Sequence, residues 1–117
     1  MSEFYISYIL QKYAETITTK EISIEELYET LTEIKKEKIV FIGYNRKEFL
    51  NDLNFLINIL SESGILRSQN NKIFIQNLER FKEYNESLLR MIKSHEYLIG
   101  LEAVKRVDEY FEELGIF

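Results

Sequence analysis

The sequence predicts a mainly α-helical fold with one small β-hairpin, in which a compact head is followed by a long C-terminal helix. Three observations lead there. Apolar residues recur at three- and four-residue spacing along most of the chain, the pattern of amphipathic helices. Residues 64–75 break that rhythm and read as strand, polar turn, strand. No proline interrupts any of the 117 residues, which suits long helices.

Residues 3–18 form the first expected helix, with Ile6, Ile9, Leu10, Tyr13 and Ile17 on one stripe. Phe4, Tyr5 and Tyr8 widen that stripe, so this helix is expected to be covered on two sides. Thr18-Thr19-Lys20 is a break, and Glu21-Ile22 reads as a single short strand. Ser23 with Glu26 three residues on has the spacing of a capping box. It starts a helix from Ile24 to Lys36 whose core stripe is Ile24, Leu27, Leu31 and Ile34. Residues 39–45 are a short apolar stretch ending in a Gly43-Tyr44-Asn45 turn. Asn45 caps the third helix, Arg46 to Ser63, which buries Phe49, Leu50, Leu53, Leu56, Ile57 and Leu60. Gly64 stops it. In the hairpin, Gln69-Asn70-Asn71 form the turn, because Asn tolerates the positive φ that tight hairpins need.

Residues 77–99 read as a long helix capped near Asn77. Phe81, Tyr84, Leu88, Met91, Ile92, His95, Leu98 and Ile99 lie on its seam, spaced over roughly three heptads. Gly100 allows a kink or a turn before residues 101–114 continue helically with Leu101, Val104, Val107, Phe111 and Leu114. A long amphipathic helix placed after a complete head needs a partner. The seam reads either as a dimer interface or as a helix folded back on the head. The expectation is a homodimer paired through it like a coiled coil, within one compact unit divided as head 1–76 and dimerisation segment 77–117. His95, the only histidine, reads as a packed interface residue rather than a ligand or base, and would make such a dimer pH-sensitive.

Composition narrows the function. With no cysteine, disulfides, thiolate metal sites and cysteine nucleophiles are excluded. No apolar run is long enough to span a bilayer, and Met1-Ser2-Glu3-Phe4-Tyr5 lacks the features of a signal peptide. A cytoplasmic location without membrane contact is therefore expected. No phosphate loop, metal-ligand cluster or nucleophile motif occurs. Adjacent glutamates such as Glu25/Glu26 and Glu112/Glu113 read as solvated helix faces, so an enzyme, a metal site or a cofactor is not expected. The formal net charge is -5. Residues 41–76 alone are slightly positive, holding Arg46, Lys47, Arg67 and Lys72 against Glu48, Asp52 and Glu62.

The order helix, short strand, helix, helix, strand, turn, strand resembles that of winged-helix (winged helix-turn-helix) regulators. The likeness is sharpest from Phe49-Leu50-Asn51-Asp52-Leu53 through Leu60-Ser61-Glu62-Ser63-Gly64-Ile65-Leu66-Arg67 to Ile73-Phe74-Ile75. It covers residues 3–76, and the long helix after it looks like the dimerisation helix that bacterial and archaeal members often append. The resemblance implies double-stranded DNA as partner, with the third helix in the major groove and the wing on phosphate or the minor groove. Carried over, the contacts are Arg46, Lys47, Asn51, Asn54 and Asn58 on the third helix, and Arg67, Ser68, Gln69, Asn70, Asn71 and Lys72 on the wing. Asn can bond adenine bidentately and Arg guanine or phosphate. The function implied is a sequence-specific or architectural transcription regulator.

Other residues point to a different class. Glu48, Asp52 and Glu62 lie on or beside the same outward face and oppose phosphate. Phe55 and Ile59 sit off the core stripe and, if exposed, form a patch suited to a protein. The segment Lys35–Tyr44 is also longer than a usual turn between helices two and three. The alternative is thus a protein-interaction adaptor or inhibitor on the same fold, without DNA binding.

Overall fold

A computed structural model of the chain describes residues 2–16, 21–37, 45–94 and 98–113. The elements are α1 (Ser2–Thr16), β1 (Glu21–Ser23), α2 (Ile24–Glu37), α3 (Arg46–Glu62), β2 (Leu66–Gln69), β3 (Lys72–Ile75), α4 (Leu78–Ser94) and α5 (Leu98–Glu113). The protein is mainly helical with a small antiparallel sheet of three strands in the order β1-β3-β2. The expected Thr18–Lys20 break, the apolar stretch 39–44, His95 and the tail from Leu114 lie outside the described residues.

Local chemistry sets the starts of α2, α3 and α4 and the end of α3. The Ser23 hydroxyl accepts the Glu26 N–H at 3.1 Å, Asn45 Oδ1 accepts that of Glu48 at 3.0 Å, and Asn77 Oδ1 accepts that of Arg80 at 3.1 Å. Each side chain thereby satisfies a donor the helix itself leaves free. At the end of α3, Gly64 takes φ +72°. Its N–H meets the Ser61 carbonyl at 3.1 Å, and that of Ile65 meets the Leu60 carbonyl at 2.9 Å. This is the paired closure of a left-handed helix cap, completed by apolar contact between the two flanking residues. Leu60 and Ile65 are both buried.

β3 lies between its hairpin partner β2 and the distant β1. Ile22, Leu66, Ile73 and Ile75 turn inward and are buried. Glu21, Phe74 and Arg67 form a row across the other side, with Ser23, Lys72 and Gln69 nearer the turn. Asn70 and Asn71 both have positive φ, 53° and 60°, the geometry of a two-residue hairpin whose twist matches its strands.

The core gathers around α1. Phe4, Tyr5, Ile6, Ile9, Leu10 and Ala14 are all buried, and the helix touches α2 and α3 as well as α4 and α5. The two-sided cover expected of α1 is present, and it comes from this chain. The single long C-terminal helix is not seen. α4 ends at Ser94 and α5 begins at Leu98, so Gly100 lies inside a helix and does not divide two. α4 and α5 contact each other and both pack on α1. The physical reason is proximity: a cover tethered to the same chain has an effective concentration that a second molecule seldom matches.

Polar contacts fix this arrangement. Asn85 on α4, 2% exposed, accepts a hydrogen bond from the Ser7 hydroxyl. It donates to the Ser7 carbonyl at 3.2 Å and to Gln11 Oε1 at 2.8 Å. On α5, Asp108 accepts the Tyr8 hydroxyl at 2.6 Å and pairs with Lys12 at 3.3 Å. The Tyr13 and Phe111 rings meet edge to face at 5.4 Å. Among the described residues, no helix is long and apolar enough to cross a membrane.

These tyrosines give the fold a pH dependence. Burial pushes the Tyr5 hydroxyl up to about 12. Burial raises Tyr8, Tyr13 and Tyr84 as well, and for Tyr8 the Asp108 carboxylate adds to it. The fold retains protons that the unfolded chain would release. Stability is therefore undiminished below the ordinary tyrosine range near 10, and is lost as pH rises from there through the folded values. In an alkaline titration, much of the phenolate absorbance should appear together with loss of the helical circular dichroism signal. Full ionisation of the tyrosines with that signal intact would contradict this.

Candidate nucleic-acid interface

The start of α2 is the junction of the outward surface. The Ile24 N–H donates to the Asn71 carbonyl at 3.0 Å, which holds the hairpin turn against the first turn of α2. One residue on, Glu25 receives both arms of the Arg46 guanidinium, Nη1 to Oε2 at 3.0 Å and Nη2 to Oε1. Arg46 opens α3 and also lies 5.2 Å from the centre of the Tyr28 ring. The hairpin turn and the N-terminus of α3 thus flank one helix start.

Electrostatics follow from the pairing. The hydrogen bonds from Arg46 hold the Glu25 carboxyl below the usual glutamate range, and they raise the guanidinium in turn. Lys72 sits 2.7 Å from Glu21 Oε1, which raises its ammonium chiefly through that hydrogen bond. The two residues lie diagonally across the β1–β3 pair, where same-face side chains come within reach. On β2, the Arg67 guanidinium lies 4.1 Å over the Phe74 ring, and its Nη1 donates to Gln69 Oε1 at 2.9 Å.

Along α3, Lys47, Asn51, Asn54 and Asn58 are all exposed and recur at four-, three- and four-residue spacing, which makes one stripe. Beside them Phe55 is 56% exposed and Ile59 37%, with Glu48 and Glu62 exposed nearby and Asp52 half-buried. Ser68, Gln69, Asn70 and Asn71 are exposed on the hairpin. Strand alternation separates them, however. Arg67, Gln69 and Lys72 share the outward side, whereas Ser68 is opposite Ile73 on the other.

No protein-family model, curated protein or solved structure matches this chain.

The surface holds residues that the sequence reading does not assign to it: Glu21, Glu25, Tyr28 and Phe74, each in contact with an expected DNA-contacting cation. Only the alternation of β1 against β3 could have pointed to Glu21. Elsewhere, a hollow of about 280 Å³ between α1 and α4 is bordered by Tyr8, Gln11, Lys82 and Asn85, but the polar atoms of Asn85 are already bonded within the protein. Among the described residues, no group of three His, Cys, Asp or Glu side chains could hold a metal ion.

The expected dimer seam divides. Phe81 is fully buried in the chain's own core, and Tyr84 and Leu88 pack half-buried against it. Met91 is 50% exposed. His95 and the side chains of Ile92, Leu98 and Ile99 lie outside the described residues. Phe81, Tyr84 and Leu88 thus follow the fold-back reading of the seam, covered by this chain and not by a second copy.

Proposed function

We propose that the chain is a winged-helix module that binds double-stranded DNA, with α3 as the groove-reading helix and the β2–β3 hairpin as the wing. The strand order, the α2–α3 pair and the hairpin that follows them support the fold assignment. The observation that carries the function is the uncovered stripe Lys47–Asn51–Asn54–Asn58, presented beside a hairpin turn that is tied to the same helix start. Asn side chains can read adenine edges, while Lys47 and Arg67 supply phosphate contacts. With so few cations, affinity is modest and rests on about two to four phosphates.

A titration of labelled mixed-sequence duplex, followed by fluorescence anisotropy at low and moderate salt, tests the reading. Replacing Lys47 and Arg67 together by Ala should weaken binding to every sequence and flatten the salt dependence by about two phosphate equivalents. Asn51→Ala should change sequence preference by about 1–3 kcal/mol at the base it reads. Unaltered binding in all of these variants would remove the site assignment.

The exposure of Phe55 and Ile59 favours a second reading, a protein-docking adaptor or inhibitor on the same fold. Absence of duplex binding at low salt decides for it. Two heads per duplex, as a homodimer joined through α4, would use what the core leaves outward there, where Met91 is the exposed large apolar side chain among the described residues. A protomer mass from light scattering would remove that element and leave a single-headed binder.

A further inference from the structure

Two of the four cations assigned to the duplex surface are already paired with carboxylates. Arg46 is held bidentately by Glu25 and supported from below by Tyr28, and Lys72 is held by Glu21. These are not the near-neighbour pairs that any charged helix makes. The Arg46–Glu25 partners lie 21 residues apart on different helices, and Lys72 and Glu21 lie on different strands of one sheet. Both carboxylates border the place where the hairpin turn meets α2, one on each side of Ser23 and Ile24. They are built into the surface that a phosphate backbone would approach.

We infer that Glu21 and Glu25 act as guards on this surface, holding Lys72 and Arg46 away from phosphate and so suppressing sequence-independent binding. The inference rests on the duplex-binding reading and specifies how that site is regulated. A phosphate arriving at either cation must displace a carboxylate and then remain beside it. Both pairs are solvent-exposed, with the Arg46 and Glu25 side chains 46% and 59% exposed and those of Lys72 and Glu21 50% and 34%. Displacement is therefore possible, because exposed pairs are individually weak, but the like charge stays in place. Non-specific affinity then comes mainly from Lys47 and Arg67. Discrimination falls to the Asn stripe, since a duplex that forms base contacts can offset the displacement and one that does not cannot.

The test compares the intact protein with Glu21→Gln/Glu25→Gln on a fluorescein-labelled mixed-sequence duplex, between about 50 and 200 mM salt. The Gln pair should bind at least about tenfold tighter at the low-salt end, with a salt slope steeper by about two phosphate equivalents. Adding Arg46→Ala and Lys72→Ala to the Gln pair should cancel that gain. Glu112→Gln/Glu113→Gln, which changes net charge equally but on the exposed end of α5, should leave binding as in the intact protein. Circular dichroism melts of each variant confirm that the fold is kept. If the intact protein binds and the Gln pair matches it in affinity and slope, the guard role is overturned and duplex binding stands. An equal gain from the α5 pair overturns it too, since bulk charge then accounts for the effect. If neither the intact protein nor the Gln pair binds at low salt, the duplex reading itself fails.

Discussion

Phe81→Ala is expected to destabilise the protein by about 3–5 kcal/mol, the range for removing a fully buried aromatic side chain. Phe81 is 0% exposed within a single chain, so the loss should be intramolecular. The denaturation midpoint of the intact protein, and of the variant if it folds, should then not move when protein concentration is changed. A helix that found its apolar cover in a second copy would behave differently, because stability would rise with concentration through mass action. Urea unfolding at two widely separated concentrations reads both quantities. A small loss for Phe81→Ala, or a midpoint that climbs with concentration, would return α4 to the role of a dimer helix. Met91→Ala provides the contrast. Its side chain is half exposed, and truncating it should cost much less.

The second large effect is expected at Asn85. Its side chain accepts from the Ser7 hydroxyl and donates to the Ser7 carbonyl and to Gln11. Asn85→Leu keeps the number and branching of the side-chain heavy atoms, adds some bulk, and removes the polar partners. That leaves buried groups on α1 unpaired, at a cost of about 1–3 kcal/mol. Adding Ser7→Ala removes one of the stranded groups and should restore part of the loss, because replacing both partners by apolar atoms is far cheaper than orphaning one. The double-mutant cycle isolates the coupling. Additive losses, with no recovery in the double variant, would mean that the two side chains do not depend on each other.

What could be read from the sequence divides by range. The caps at Ser23, Asn45 and Asn77 and the stop at Gly64 are contacts between residues only a few positions apart, so spacing reveals them. The core stripe of α3 is equally local: Phe49, Leu53, Leu56 and Leu60 are buried, while Leu50 and Ile57, at its margins, are only half covered. Periodicity also showed that α1 and the C-terminal helix each needed apolar cover. It could not say from where, because a hydrophobic stripe does not record the identity of its partner. Nothing local marks Asn85, since its burial depends on a partner 78 residues earlier. In the candidate site, the α3 stripe and the hairpin turn were visible as local patterns. The carboxylates that hold Arg46 and Lys72 were not, because the β1–β3 register and the approach of α2 to α3 bring them there.

The placement of α1 at the centre also bears on how the chain is made. α1 leaves the ribosome well before one of the helices that cover it: Tyr8 on α1 meets Asp108 on α5 across 100 residues. At translation speeds of about 5–20 residues per second, that helix waits on the order of 5–20 s before α5 can reach it. During the wait its Tyr8 and Tyr13 side, which α5 covers, offers an adhesive surface to other nascent chains. Chains that stop after the hairpin lack the cover of α4 and α5, so a fragment ending near Gln76 should collect in the insoluble fraction in greater proportion than one that runs on through α5.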